Sequence, residues 1–267
     1  MKVSVVIPSY KDPLLHKTID NLLENSALGD ELEVIAVLDG YWPIKPIKDD
    51  NRIKVVHLGR NRGMRGAINA GVLVSTGEYL MRCDEHQVFG SNYDAILSTQ
   101  TEENWIATPR RYFLDPVKWE VMDIPPVDYS KLVTQNLEEG AVKWAGQEWK
   151  SRAIERADIL IDETMAMQGS CWFMKRTWWD KVIGELQTEG YGPHIQDSHE
   201  MVFKTWQAGG KLMVNKNTWH AHKHRQFPRT HNNGTTENPV YFTKSANYAY
   251  NLWKEYYEQE IRPLWKI

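Results

Sequence analysis

Two potential metal ligands follow a short apolar run in EYLMRCDEHQVFG, residues 78–90. Asp84 and His86 lie two positions apart, so in an extended chain their side chains project to the same side and Glu85 to the other. Buried charges are costly unless they are paired or bind an ion. A carboxylate with an imidazole suits manganese and similar divalent cations. The pattern indicates either a metal site or a solvated turn at the end of a strand.

Histidines alternate near the end of the chain in WHAHKHR, residues 219–225. On a strand, His220, His222 and His224 all project from one face. Such a cluster is typical of a metal site or of a chance grouping at the surface, and the spacing alone does not separate the two.

The first hundred residues contain the elements that position these side chains. Apolar runs predict strands over Lys2–Ile7, Glu33–Leu38, Ile53–Leu58 and Tyr79–Cys83, with a helix after Asp12 and another over Gly66–Ser75. This alternation predicts a parallel sheet, in which ligands bind at the carboxyl ends of the strands. The residues predicted at those ends are Pro8, Ser9, Tyr10, Asp39, Asp84 and His86.

Arginines flank a glycine just before the second helix. Arg62 and Arg65 lie on either side of Gly63 and Met64. Both are either solvated helix arginines or guanidinium groups that face a phosphate, which arginine binds through two hydrogen bonds.

The second half of the chain, residues 111–267, is predicted to complete the same single domain as residues 1–110. Asp115–Asp162 reads as irregular, Asp197–Ala208 as a helix and Lys211–Val214 as the last strand. The polar, turn-rich segment Gln226–Pro239 is expected to be a mobile loop that covers the site, and Asn247–Glu260 a C-terminal helix.

Composition excludes several classes of protein. The 267 residues contain 32 basic and 35 acidic side chains, so a net charge of −3 argues against a polybasic nucleic-acid or membrane-surface protein. No apolar run is long enough for a transmembrane segment, and the start of the chain does not read as a signal peptide. Two cysteines cannot form a disulfide framework, so we expect a cytoplasmic protein.

Several stretches resemble the GT-A fold nucleotide-sugar glycosyltransferases. In the first half these are VSVVIPSYKDPLLHKTIDNLL, NRGMRGAINAG and STGEYLMRCDEH. In the second half, DETMAMQGSCWFMKRTWWDKVIG, DSHEMVFKTWQAGGKLMV and WHAHKHR are similar to the polypeptide N-acetylgalactosaminyltransferase branch. The resemblance implies an α/β GT-A fold, Rossmann-like, with helices on both faces of a mostly parallel sheet. It also implies that residues 1–110 form the nucleotide-sugar-binding half and residues 111–267 the acceptor-side half. We expect a chain without that branch's membrane anchor, stem and lectin domain.

The resemblance also implies roles for individual residues. Its D-x-H metal motif corresponds to Asp84 and His86, and its third ligand to His222, three residues before Arg225. The implied ion is Mn²⁺ or another divalent cation, which holds the donor diphosphate. The implied donor contacts are Asp39 to the base or ribose, Pro8–Tyr10 to the base, Gly169 beside the sugar, and Arg225 after the metal histidine.

Asp197 and Glu200 are the candidate catalytic acids. Their spacing is also that of a helix N-cap with its reciprocal acid. In inverting GT-A enzymes an acid at this helix start deprotonates the acceptor hydroxyl, whereas in the similar retaining branch it contacts the bound sugars. We expect Asp197 to lie in the active site and the reaction to retain anomeric configuration, with an inverting enzyme as the alternative.

The expected function is therefore a metal-dependent transfer of a sugar from a UDP-sugar to a hydroxyl. The acceptor classes left open are a saccharide, a small molecule, a protein or a modified nucleobase. Two other functions fit the sequence less well. A nucleotidyltransferase calls for a glycine- and arginine-rich loop after the first strand, which IPSYKDP is not. A non-catalytic nucleotide-sugar or nucleic-acid binder has no need of all three metal positions.

Overall fold

The computed structural model describes residues 1–137, 140–223 and 239–267, without the side chains of 239–241. Arg225, His224 and all of the predicted covering loop except Pro239 lie outside the described residues.

The strands of the central sheet follow the chain from its first residues to His222. They are β1 (Val3–Ser9), β2 (Leu32–Asp39), β3 (Ile53–Leu58), β4 (Tyr79–Cys83), β5 (Gln87–Phe89), β6 (Trp105–Asp115), β7 (Glu120–Val121), β10 (Ile161–Glu163), β11 (Cys171–Lys175) and β12 (Lys211–His222). A separate hairpin consists of β8 (Ser130–Asn136) and β9 (Val142–Glu148).

The central sheet has the order β10-β12-β6-β11-β4-β1-β2-β3. Its first-half strands β3, β2, β1 and β4 are all parallel, as the alternation of strands and helices predicts. β11 runs antiparallel between β4 and β6, and β12 is parallel to β6. Because β5 pairs with the end of β12, the segment after β4 and the last strand of the sheet lie side by side.

The helices lie on both faces of this sheet. They are α1 (Leu15–Asn25), α2 (Gly63–Val74), α3 (Tyr93–Gln100), α4 (Lys150–Glu155), α5 (Arg176–Trp178), α6 (Asp197–Gln207), α7 (Pro239–Tyr256) and α8 (Arg262–Leu264). Alternate residues of β1 supply the two cores: Val5 and Ile7 pack with Leu15 and Ile19 of α1, while Val6 packs with α2 on the other face. This α/β architecture confirms the predicted fold class.

Three segments of the second half differ from the sequence prediction. Asp115–Asp162 is not irregular, because it contains the β8–β9 hairpin, which contributes the buried side chains Leu132 and Trp144 to the core. β12 continues eight residues past the predicted end at Val214, through a register shift between Asn215 and Trp219. The C-terminal helix begins at Pro239 rather than Asn247.

Among the described residues, no helix combines the length and the apolar character needed to cross a lipid bilayer.

Candidate active site

The three predicted metal ligands come together where β4 and β12 end and β5 begins. Asp84 directly follows β4, His86 directly precedes β5, and His222 is the last residue of β12. His222 Nε2 lies 3.0 Å from Asp84 Oδ2 and 3.2 Å from His86 Nε2, and His86 Nε2 lies 3.8 Å from Asp84 Oδ2. One carboxylate oxygen and two imidazole nitrogens therefore form a compact triangle.

This triangle has the size that one divalent cation requires. Two ligand atoms that each lie about 2.1 Å from an ion, at right angles, are about 3 Å apart. The separations of 3.0 and 3.2 Å match that spacing, and the separation of 3.8 Å corresponds to a wider angle at the ion. Mixed oxygen and imidazole ligands suit Mn²⁺. Within the described ranges this is the one group of acids, histidines and cysteines close enough to hold a metal.

Arg82 is a site residue that the sequence analysis missed. Its buried guanidinium donates to Asp84 Oδ1 at 2.5 Å and also to the carbonyl oxygen of Gly169. Burial alone would raise the pKa of the Asp84 carboxyl, but Arg82 and the hydrogen bond from His222 hold this pKa well below its usual range. Arg82 thus occupies one oxygen of Asp84 and leaves Oδ2 for a metal. A charged residue inside the apolar strand YLMRC was the available signal.

A narrow pocket next to the metal ligands is lined by four of the predicted donor contacts, Pro8, Ser9, Tyr10 and Asp39. Its lining comes from the ends of β1, β2 and β4, from the start of α2 and from the loop before α6, and consists of Pro8, Ser9, Tyr10, Asp39, Met64, Ala67, Arg82, Asp84, Glu85 and His194. Met64 and His194 were not predicted. The carboxyl ends of the parallel strands therefore meet at one pocket.

Asp39 anchors the start of α2. Its two carboxylate oxygens accept the backbone N–H groups of Arg62 at 2.6 Å and Gly63 at 2.8 Å. Burial nevertheless raises the pKa of Asp39 to about 6. Gly63 has a φ of +75°, and a Cβ there would lie 2.6 Å from His194, so a glycine permits this close approach.

The two arginines near Gly63 have different surroundings. Arg62 is exposed at the start of α2. Arg65 is fully buried: it pairs with Glu200 and donates to the carbonyl oxygens of Ile195 and Gln187, each at 2.9 Å. Arg65 and Glu200 therefore bind each other and connect α2 to α6. In this arrangement Arg65 does not face a phosphate, contrary to the prediction, and Glu200 does not have a carboxylate directed at a substrate.

We expect Glu200→Gln to lower the free energy of unfolding by about 3 kcal/mol, because it leaves the buried Arg65 charge without its carboxylate. Urea unfolding measures the change. Glu189→Gln, which removes an exposed acid from the loop before α6, is the control. Unchanged stability with a large drop in turnover would instead place Glu200 in the reaction.

Asp197 lies in the first turn of α6 but does not cap it. The N-cap residue is Gln196, and no side chain forms a cap hydrogen bond, so the capping alternative is wrong. The Asp197 side chain is buried, and its Oδ2 has no hydrogen-bond partner among the described residues. Gly169 lies beside it, since a Cβ on Gly169 would be 3.4 Å from this oxygen. An unsatisfied buried carboxylate oxygen points to a missing partner such as a ligand hydroxyl.

His220 is not one of the clustered metal ligands. Its ring is buried and stacks on Phe89 with the centroids 6.1 Å apart, although it projects from the same face of β12 as His222. Burial, together with nearby positive groups, holds the pKa of His220 well below its usual range.

A much wider groove lies away from the candidate metal ligands. It measures about 1480 Å³ and runs between α2, the segment after α5, and α7, with Arg60, Arg62 and Lys244 among its lining residues. Neither Asp84, His86 nor His222 lines it. We assign the candidate site by its chemistry rather than by volume.

Comparisons with known proteins identify the fold and the family of this chain. Among curated proteins, an uncharacterized glycosyltransferase of Bacillus subtilis (strain 168), YwdF, is 31% identical over 106 residues, which is 38% of this chain and 39% of that protein. Among solved structures, GalNAc-T7 with UDP, GalNAc and Mn²⁺ has a TM-score of 0.70 and 17% identity, over 98% of this chain and 50% of that one. S. aureus TarS 1–349 in complex with UDP-GlcNAc has a TM-score of 0.55 and 13% identity, over 85% of this chain and 60% of that one.

This chain thus spans between about two fifths and three fifths of the length of these relatives. The structural matches show the GT-A fold. The sequence model of Glycosyl transferase family 2 matches residues 4–183, which is well over half of the chain. The chain therefore belongs to glycosyl transferase family 2.

Proposed function

We propose that this protein is a glycosyltransferase that transfers a sugar from a UDP-sugar to an acceptor hydroxyl. The proposed reaction requires a divalent cation, preferably Mn²⁺, which Asp84, His86 and His222 hold. The observation that carries the proposal is the triangle of ligand atoms beside the pocket at the strand ends. The structural relatives named above were solved with UDP and Mn²⁺ or with UDP-GlcNAc, which supports the same donor class.

Each part of the donor has residues to receive it. Breaking the sugar–phosphate bond leaves negative charge on the diphosphate, which a bound divalent cation neutralises. We propose that Asp39 and Pro8–Tyr10 contact the nucleoside. Arg62, which is exposed at the start of α2 and lines the wider groove, is proposed to contact a phosphate. Gly169 leaves room for the sugar, and Asp197 accepts a hydrogen bond from a hydroxyl of the donor or acceptor. Arg225 is proposed as a further donor contact.

The acceptor is a saccharide, a small molecule, a protein or a modified nucleobase. We also propose a reducing compartment such as the cytoplasm, because Cys83 and Cys171 lie opposite each other on paired strands as free thiols.

Hydrolysis of a panel of nucleotide sugars tests the proposal. We expect release of UDP from at least one UDP-sugar, loss of this activity after exhaustive chelation, and recovery on addition of Mn²⁺. Activity that persists after chelation, in protein shown by elemental analysis to be free of metal, would contradict the cation requirement. Turnover of only other nucleotide sugars would contradict the donor class.

The raised pKa of Asp39 predicts a pH dependence of nucleoside binding. The folded-state pKa of about 6 lies above the ordinary 3.8, so this carboxyl becomes protonated below about pH 6 and then accepts hydrogen bonds more weakly. We expect the affinity for uridine, which has no phosphate to contact a metal, to fall about tenfold between pH 7 and pH 5. NMR titration measures the affinity. Asp39→Asn should bind uridine with little change over this range, and an equal fall in that variant would assign the effect to other groups.

A second candidate mechanism uses Asp197 as the general base of an inverting transferase. The unsatisfied Oδ2 of Asp197 favours it, because a base must have an oxygen free to take the acceptor proton. We propose retention as the first candidate, since the sequence resembles a retaining branch.

A further inference from the structure

Asp12, which precedes α1, connects that helix to the candidate metal site. Its Oδ1 accepts the backbone N–H of Leu14 at 2.8 Å, and its Oδ2 lies 3.1 Å from His86 Nδ1. The side chains of Asp12 and His86 are 2% and 1% exposed. The carboxylate therefore reaches the ring nitrogen that faces away from the other two metal ligands.

Other residues of α1 hold the backbone next to His86. Thr18 Oγ1 donates to the carbonyl oxygen of Gln87 at 3.1 Å and accepts its N–H at 3.0 Å. Asn21 Oδ1 accepts the N–H of Phe89 at 2.7 Å. The main chain of β5 is thus fixed without Asp12, and the contact that Asp12 makes acts on the His86 ring.

A hydrogen bond to a carboxylate determines which ring nitrogen of a neutral histidine carries the proton. A carboxylate only accepts, so the proton between Asp12 and His86 belongs to Nδ1. Nε2 then presents its lone pair, and this is the nitrogen that lies 3.2 Å from His222 Nε2 and 3.8 Å from Asp84 Oδ2.

We propose that Asp12 is a positioning residue that holds His86 in the Nδ1–H tautomer and so aims Nε2 at the divalent cation. The proposal rests on the proposed function in that it takes His86 to be a metal ligand. Partners of this kind typically contribute 10–100-fold to metal affinity.

The variant Asp12→Ser separates the two contacts of Asp12. A serine hydroxyl can still accept the Leu14 N–H but is too short to reach His86. Long-range ¹H–¹⁵N correlations report the His86 tautomer in the metal-free protein, and calorimetry reports Mn²⁺ affinity. We expect the Nδ1–H tautomer in the wild type, its loss in Asp12→Ser, and Mn²⁺ binding about 10–100-fold weaker. Asp12→Asn keeps the side-chain size, and its Mn²⁺ affinity should lie between those of the wild type and Asp12→Ser.

Asp20→Asn is the matched control, since it removes a half-exposed carboxylate of α1 that pairs with Lys48 at 2.7 Å. It should leave both the tautomer and the affinity unchanged. The proposal is overturned if folded Asp12→Ser and Asp12→Asn keep the Nδ1–H tautomer and bind Mn²⁺ within twofold of the wild type. If the wild type binds no divalent cation, the proposed function fails, and the tautomer still decides whether Asp12 positions His86.

Discussion

Asp84→Ala should lower turnover about 10³-fold or more while the protein stays folded. Asp84 supplies the one carboxylate oxygen of the ligand triangle, and the variant leaves two neutral imidazoles to hold a cation. The charge that develops on the departing diphosphate then loses its counter-charge, and even one lost contact of this kind costs about 10²–10³-fold. Steady-state turnover of the UDP-sugar and Mn²⁺ affinity should fall together.

The controls separate loss of a ligand from loss of packing. Arg82 is buried against Asp84, so Asp84→Ala also leaves a cation without its partner. Asp84→Asn keeps the shape and an acceptor oxygen for Arg82 but is a poor metal ligand, and it should be as inactive as Asp84→Ala with a higher melting temperature. Asp49→Asn, at an exposed acid, should behave like the wild type. Full turnover of Asp84→Asn would exclude Asp84 as a ligand.

Asp197→Asn should lower turnover by about 10²–10⁴-fold with little change in melting temperature. The expected loss of turnover equals the contribution that a positioned general base, or a hydrogen bond to the reacting sugar, makes to the rate. The unchanged stability follows because Asp197 forms no cap hydrogen bond and its Oδ2 has no partner in the described protein. Asp180→Asn, at an exposed acid that also begins a helical turn, is the control.

The anomeric configuration of the product, read from NMR couplings, assigns the role of Asp197. A retained product with reduced turnover is the expected outcome and makes Asp197 a contact to the donor or acceptor sugar. An inverted product with the same loss makes it the general base. Normal turnover with only a loss of stability would contradict both roles.

The sequence predicts the first half of this structure well because apolar strands and helices alternate regularly there. Buried parallel strands appear as β-branched runs, and their ends put Asp39, Asp84 and His86 on one edge. The second half is harder to read because the strands of its hairpin, β8 and β9, are only half buried. Leu132 and Trp144 are their buried apolar side chains, too few to form a periodic pattern, and the largely polar run after Val214 hides the continuation of β12.

Contacts between distant residues explain what the sequence analysis missed at the site. Asp12 reads locally as a helix-start residue, which it also is, and its contact to His86 spans 74 positions. Arg65 and Glu200 are 135 positions apart, so neither the helix pattern of α2 nor that of α6 shows that they pair. The N-cap of α6 falls on Gln196 because that residue adopts φ of +61°, which the spacing of Asp197 and Glu200 does not show.

The position of His222 at the end of β12 links metal binding to the docking of the last strand onto the sheet. His222 is 138 positions from Asp84 and lies beyond residues 4–183, the part that matches the family. A bound ion would therefore act as a crosslink between the family-matched region and the strand that follows it, closing a long loop of chain. A polypeptide cut before β12 carries only two of the three ligands. Binding of the ion would then report that the last strand of the sheet has docked, and loss of the ion would loosen that strand first.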